Sequence, residues 1–145
     1  MDITVGELIP VLQIAIGPVV LISGIGLLIL SMTNRLGRVI DRGRSLAREL
    51  PELPAQLHKQ VKAQLVILSQ RAKLLQSAIT FSTLSVLLAA VLIIALFVTA
   101  VFQIENAWLI VILFASSMGS LIISLIVFLL EVNQSLIAFN LDIGQ

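Results

Sequence analysis

Cysteine is absent from the 145 residues, which excludes disulfides, thiolate nucleophiles and thiolate-ligated metals. Histidine occurs once, at His58, beside a proline-rich turn and far from any serine it would have to activate. No zinc cluster, H-E-x-x-H, G-x-S-x-G, phosphate loop or dinucleotide fingerprint is present. Enzyme chemistry is therefore not expected, and neither is a metal or cofactor. Charge is scarce as well. Charged residues make up 12% of the chain and hydrophobic ones 59%, whereas soluble domains carry about 25% and roughly 45–50%.

The little charge there is falls unevenly. None occurs from Leu8 to Asn34, from Leu74 to Ile104, or from Asn106 to Leu130. Each window exceeds the roughly 20 apolar residues that cross a hydrocarbon layer of about 30 Å. Lipid offers no water to backbone groups, so a crossing segment is a helix or a strand of a closed barrel. Barrel strands alternate over short stretches, and these runs are long and continuous. The expected fold class is an all-α membrane protein of one domain (1–145) with three transmembrane helices, at about 8–33, 77–102 and 107–130. The first window is expected to be retained rather than cleaved, because Asp2 and Glu7 stand where a signal peptide has a basic region.

All nine Lys and Arg residues lie between Arg35 and Lys73, alongside only Asp41, Glu49 and Glu52, a net charge of +6. The rest of the chain holds five acids and no base. The positive-inside bias assigns this segment to the cytoplasm. The N-terminus and the turn at Gln103–Asn106, with a solvated Glu105, are then outside, and the C-terminus is cytoplasmic.

The basic segment has its own periodicity. Leu36, Val39, Gly43, Leu46 and Leu50 alternate steps of three and four, a stripe on one helix face. After Pro51–Pro54, Val61, Leu65, Leu68, Ala72, Leu75 and Ile79 do the same and run into the second span. The spacing predicts that helix one continues to about Leu50, that the chain turns at 51–54, and that helix two runs from about Ala55 to Phe102. The arms over 35–76 would form a cytoplasmic antiparallel helical hairpin. At 1.5 Å per residue the first arm would project roughly 24 Å. An amphipathic segment lying on the headgroups is the alternative; two narrow stripes of similar length favour the hairpin. Thr4 to Glu7 forms a capping box for a helix starting near Val5, and Pro18 is expected to kink or break that helix. The tail, 131–145, keeps Leu136, Phe139 and Ile143 at helical spacing.

Arginine fills every basic position of the first arm. Arg35, Arg38 and Arg42 fall on one flank of the stripe, Arg44 and Arg48 towards the other. The planar guanidinium suits phosphate and carboxylate and tolerates partial burial. These five are the candidate lipid- or partner-binding residues, since each base near an anionic surface adds about 1 kcal/mol of attraction; the plainer reading is a topology signal on a solvated face. The segment lacks aromatics, which argues against nucleic acid. Asp41 lies three residues from both Arg38 and Arg44, within helical contact range. Glu131, where helix three ends its apolar run, is either a structural ion pair with Arg35 or Arg38 or a water-exposed carboxylate. Ser116, Ser120 and Ser124, with Gly119 adjacent, form a small-residue packing face, within the chain or between subunits. Ser77, Thr80, Ser82, Thr83 and Ser85 either bond back to their own helix or line a pore.

The stretch PVVLISGIGLLILSMTNRLGRVIDRGR, Pro18 to Arg44, resembles the signature of a bacterial membrane family, domain of unknown function 2721. Its R-x-x-R-x-x-D-R arrangement corresponds to Arg35, Arg38, Asp41 and Arg42, preceded by Pro18. The resemblance implies a three-span protein of the bacterial inner membrane and brings no catalytic residue. It also implies that Asp41 and its arginines form a structural or binding unit. Two functions are expected from the whole: a non-enzymatic protein presenting a basic hairpin to anionic lipid or a partner, or a homo-oligomeric channel or small transport protein. Three spans make a thin bundle, so a homo-oligomer is expected in either case.

Overall fold

The computed structural model describes residues 5–103 and 106–143, with side chains described for 5–103 and 106–136. Thr4 of the capping box, Glu105 of the outer turn, and the side chains of Phe139 and Ile143 lie outside the described residues. Three helices account for nearly everything else: α1 (Val5–Glu49), α2 (Ala55–Phe102) and α3 (Ala107–Ile143), with a 3-10 turn at Leu50–Glu52 between the first two. No strand occurs among the described residues.

Each helix is long and apolar enough to cross a membrane, yet only 11–17% of its most apolar window is buried. Ile16 and Leu27 of α1, Leu87 and Ile94 of α2, and Ile112 and Leu129 of α3 all point outward, half or more exposed. In water such a surface would drive association; against acyl chains it is simply the solvated face. This is the construction of a multi-pass membrane protein. α1 passes through Pro10 and Pro18 without interruption, so of the kink or break expected at Pro18 the break does not occur. Proline withdraws one backbone donor, a local loss that a long membrane helix absorbs.

The chain divides into two compact units: Met1–Ile29 with Phe81–Ile123, and Leu30–Thr80 with Ser124–Gln145. In the first unit α2 and α3 meet along small residues. Ser82, Ser85 and Ala89 are buried on α2, and Ser117 and Ser120 on α3. The hydroxyls reach carbonyls of the opposite helix: Ser85 donates to Ser117 O (2.8 Å), Ser117 returns the bond to Ser85 O (2.9 Å), and Ser120 donates to Phe81 O (2.7 Å). Contacts of this kind in lipid are worth about 0.6 kcal/mol each, so the seam is closed mainly by the close backbone approach that small side chains allow. α2 ends at Phe102, and the left-handed φ of 50° at Gln103 stops further helical bonding.

In the second unit the hairpin turn is set by its two prolines. Pro51 sits at the start of the 3-10 turn, where its missing N–H costs nothing. Pro54 forces the residue before it to be extended, and Leu53 has φ −81° and ψ 150°. The Leu57 amide then donates to Pro54 O at 2.9 Å, and His58 Nε2–H donates to Leu53 O at 2.9 Å. A carbonyl can only accept, so the lone histidine ties down the turn. Met32, Val39 and Leu46, seven residues apart on α1, are buried, as are Leu75 and Ala78 on α2. A seven-residue repeat of this kind is the seam of a helical pair. In the same unit Ser124 donates to Ala78 O at 2.6 Å.

Ser116, expected on the packing face, is exposed, and Ser117 takes that place. Four-residue steps drift about 40° each around a helix of 3.6 residues per turn, which carries Ser116 away from the face that Ser120 and Ser124 share. A Cβ on Gly119 would meet nothing within 4 Å, so that glycine is not the point of close approach. Gly119→Ala should leave thermal stability in detergent within about 0.5 kcal/mol. Ser120→Leu should lower it by about 1–3 kcal/mol through overpacking. Comparable losses from both would place Gly119 in a contact and contradict the seam.

Candidate functional site

The second unit brings one charged residue from each helix to a common point. Arg35 follows the fully buried Met32 by three residues on α1, and Arg71 precedes the fully buried Leu75 by four on α2. Both therefore flank the buried face of their own helix. Glu131 on α3 lies seven residues past the buried Ser124, on the same side, and is itself 0% exposed. Arg71 donates to Glu131 Oε1 through Nε (3.2 Å) and Nη2 (3.0 Å), and Nη2 donates to Ser135 Oγ at 3.0 Å. Arg35 Nη2 stands 2.9 Å from Glu131 Oε2, but no N–H is aligned on that oxygen. The Arg71 contact is thus a directed, two-pronged bond, and the Arg35 contact a coulombic one. The Arg35 guanidinium also lies over Phe128, 5.5 Å from the ring centroid, within cation–π range.

Of the two partners considered for Glu131, the structure places Arg35 at the carboxylate and leaves Arg38 exposed. Asp41 is also exposed, and no ion pair to it or to Arg38 is found among the described residues. The physical reason is position: Asp41 sits on the outer surface of α1, where water screens an ion pair that must also fix two side chains. The ion-pair set is Arg35, Arg71 and Glu131.

Arg71 was not singled out by the sequence reading, although a signal for it exists. Counting back from the proline turn along α1 to Arg35, and forward by a similar distance along α2, reaches Arg71. In an antiparallel hairpin those two positions face each other. Periodicity alone treats Arg71 as one more base on a basic arm.

Beside this lock lies an open concavity of about 350 Å³, lined by Arg35, Arg38, Arg42, Arg71, Ser135 and the apolar Val39 and Leu68. Among the described residues four arginines line it and no carboxylate does, because Glu131 is buried behind two of them. Arg44 and Arg48 do not join. Arg44 lines a separate, apolar groove with Gly43, Ala47 and Ala72, and Arg48 is exposed in the last turn of α1. The five first-arm arginines therefore separate into three that converge and two that do not. Among the described residues no group of His, Asp and Glu is arranged to hold a metal.

Removing either arginine should destabilise the protein unequally. Arg71→Ala deletes two directed bonds and a bond to Ser135, and should cost about 2–4 kcal/mol; Arg35→Ala deletes an unaligned contact on a side chain 28% exposed, and should cost about 1–2 kcal/mol. Thermal denaturation of both variants in detergent checks the order. A larger loss from Arg35 would show that the coulombic contact dominates the lock.

No curated protein and no solved structure matches this chain. Residues 15–141 match the family described as protein of unknown function (DUF2721). The match takes in Pro18, the converging arginines, Asp41, Arg71 and Glu131. Over that length it shows that the chain belongs to this family.

Proposed function

We propose that this is a non-enzymatic integral protein of a bacterial inner membrane that presents its basic helical hairpin to anionic lipid at the cytoplasmic face. The observation that carries the reading is the confinement of all nine bases to Arg35–Lys73, directly following the first apolar span and running to the start of the second. Short connections rich in Lys and Arg stay on the cytoplasmic side. The anionic lipids of that leaflet attract juxtamembrane bases by about 1 kcal/mol each. Arg38, Arg42, Arg44 and Arg48 are exposed, so the hairpin offers charge outward rather than spending all of it internally. In this topology the N-terminus is outside, the C-terminus cytoplasmic, and the chain associates with further copies of itself.

The alternative of a channel finds less support. Ser82, Ser85, Ser117 and Ser120 are buried within one chain, and the last three bond to carbonyls across the α2–α3 seam. Thr80 donates to Gln76 O of its own helix at 2.9 Å. The four serines, buried at that seam, present almost no surface to a passing ion.

The chain's lack of cysteine makes the topology directly testable. Glu52→Cys, in the exposed hairpin turn, should react with a membrane-impermeant maleimide only after cells are opened. Labelling of intact cells would put the basic hairpin on the wrong side of the bilayer and end the proposal.

A further inference from the structure

The exposed charge on the first arm is not uniform, and its arrangement asks for a counter-ion. Arg35, Arg38 and Arg42 follow one another at steps of three and four on α1, so they stack on one helix face, where like charges repel. Arg71 reaches the same concavity from α2. Glu131 compensates one charge and is occupied with Arg35 and Arg71. Among the described residues three positive charges remain around a single opening, and Arg38 and Arg42 have no acidic partner there. Nor is the cluster loose. Arg71 is fixed by its bonds to Glu131 and Ser135, and Arg35 by Glu131 and Phe128. Two guanidiniums are thus pre-oriented, and the two on Arg38 and Arg42 are exposed beside them.

The geometry points to a phosphate-binding site formed by Arg35, Arg38, Arg42 and Arg71, with Glu131 as a positioning residue and a phosphomonoester as the preferred ligand. The inference rests on the proposed lipid-facing hairpin and narrows it from a diffuse basic surface to one pocket. A phosphomonoester carries about −1.5 to −2 charges at neutral pH and presents three terminal oxygens. A carboxylate offers one charge and two oxygens, and a phosphodiester a single charge. Guanidinium forks match phosphate oxygens in pairs, and four arginines against the one described carboxylate, Glu131, favour the dianion. The opening, about 350 Å³, falls in the lower part of the usual range for small-ligand pockets, about 300–1,000 Å³. Its depth suits a lipid source. Arg35 is the first charge after the α1 span, and Arg38 and Arg42 follow at rises of roughly 4.5 and 10.5 Å, within or just beyond the headgroup layer that flanks the hydrocarbon.

The test uses the purified full chain in detergent. Dioleoyl phosphatidic acid (a phosphomonoester), dioleoyl phosphatidylglycerol (a phosphodiester), dioleoyl phosphatidylcholine and inorganic phosphate are titrated separately and read by native mass spectrometry. Two variants of equal charge change are compared: Arg38→Gln with Arg42→Gln in the pocket, and Arg44→Gln with Arg48→Gln outside it. All four arginines are exposed and outside the ion lock, so both variants should keep the unliganded melting temperature. The expected result is tightest binding of phosphatidic acid, weakened about tenfold or more by the pocket variant and by about threefold or less by the other. Equal weakening by the two variants would overturn the pocket while leaving a diffuse lipid-binding hairpin intact. A wild-type chain that retains neither anionic lipid nor phosphate would overturn both. Binding of inorganic phosphate without lipid, lost in the pocket variant, would uphold the phosphate site and assign its ligand to the aqueous phase.

Discussion

A carboxylate with no exposed surface has to be answered by the protein itself, and the structure of the second unit follows from how Glu131 is answered. Taking an ion out of water costs several kcal/mol even after relaxation, and the return comes only with good geometry and additional hydrogen bonds. Arg71 supplies the geometry, Arg35 supplies charge, and Ser135 holds the nitrogen that Arg71 shares with Glu131. Each of the three ionic groups comes from a different helix, so the arrangement specifies which faces meet. Apolar packing alone is more permissive, since a stripe of leucine and valine tolerates rotation and sliding. Serines and alanines perform a related service in the first unit, where a hydroxyl finds a carbonyl only if the backbones are close and in register.

The same lock gives the basic surface its shape. Without Glu131, Arg35 and Arg71 would be long, freely rotating cations like their neighbours, and rotamer entropy would oppose any common orientation. Holding two of them still creates a fixed wall, and the exposed Arg38 and Arg42 on the adjoining turns of α1 complete an opening lined, among the described residues, by one sign of charge. One buried negative charge thus organises a larger positive surface. Arginine is the residue for this task, because its planar fork bonds the carboxylate along one edge and leaves other N–H groups directed outward.

Much of this architecture was legible beforehand, for identifiable reasons. Charge-free windows reveal lipid-crossing helices because a charge in hydrocarbon is costly. The prolines at 51 and 54 mark the reversal because each removes a backbone donor and restricts its neighbour. The stripe through Val39 and Leu46 gives the buried side of α1 directly. What escaped was part of the relation between helices. Periodicity locates a face around its own axis and says nothing of which partner covers it, so Arg71 stayed hidden among the bases of its arm, and Asp41 drew attention through its spacing from Arg38 and Arg44 and through the family resemblance. The choice of Ser116 over Ser117 failed for a related reason: a four-residue count approximates a helical face over one turn and departs from it over two.

The order in which the three partners are made has a consequence for biogenesis. Arg35 and Arg71 emerge from the ribosome well before Glu131, so the nascent chain passes through a stage in which its hairpin is complete but its acid is still unsynthesised. A chain released early at that stage would expose unrestrained cations and an unfilled seat for the third helix. Docking of the third helix is therefore the event that restrains both cations.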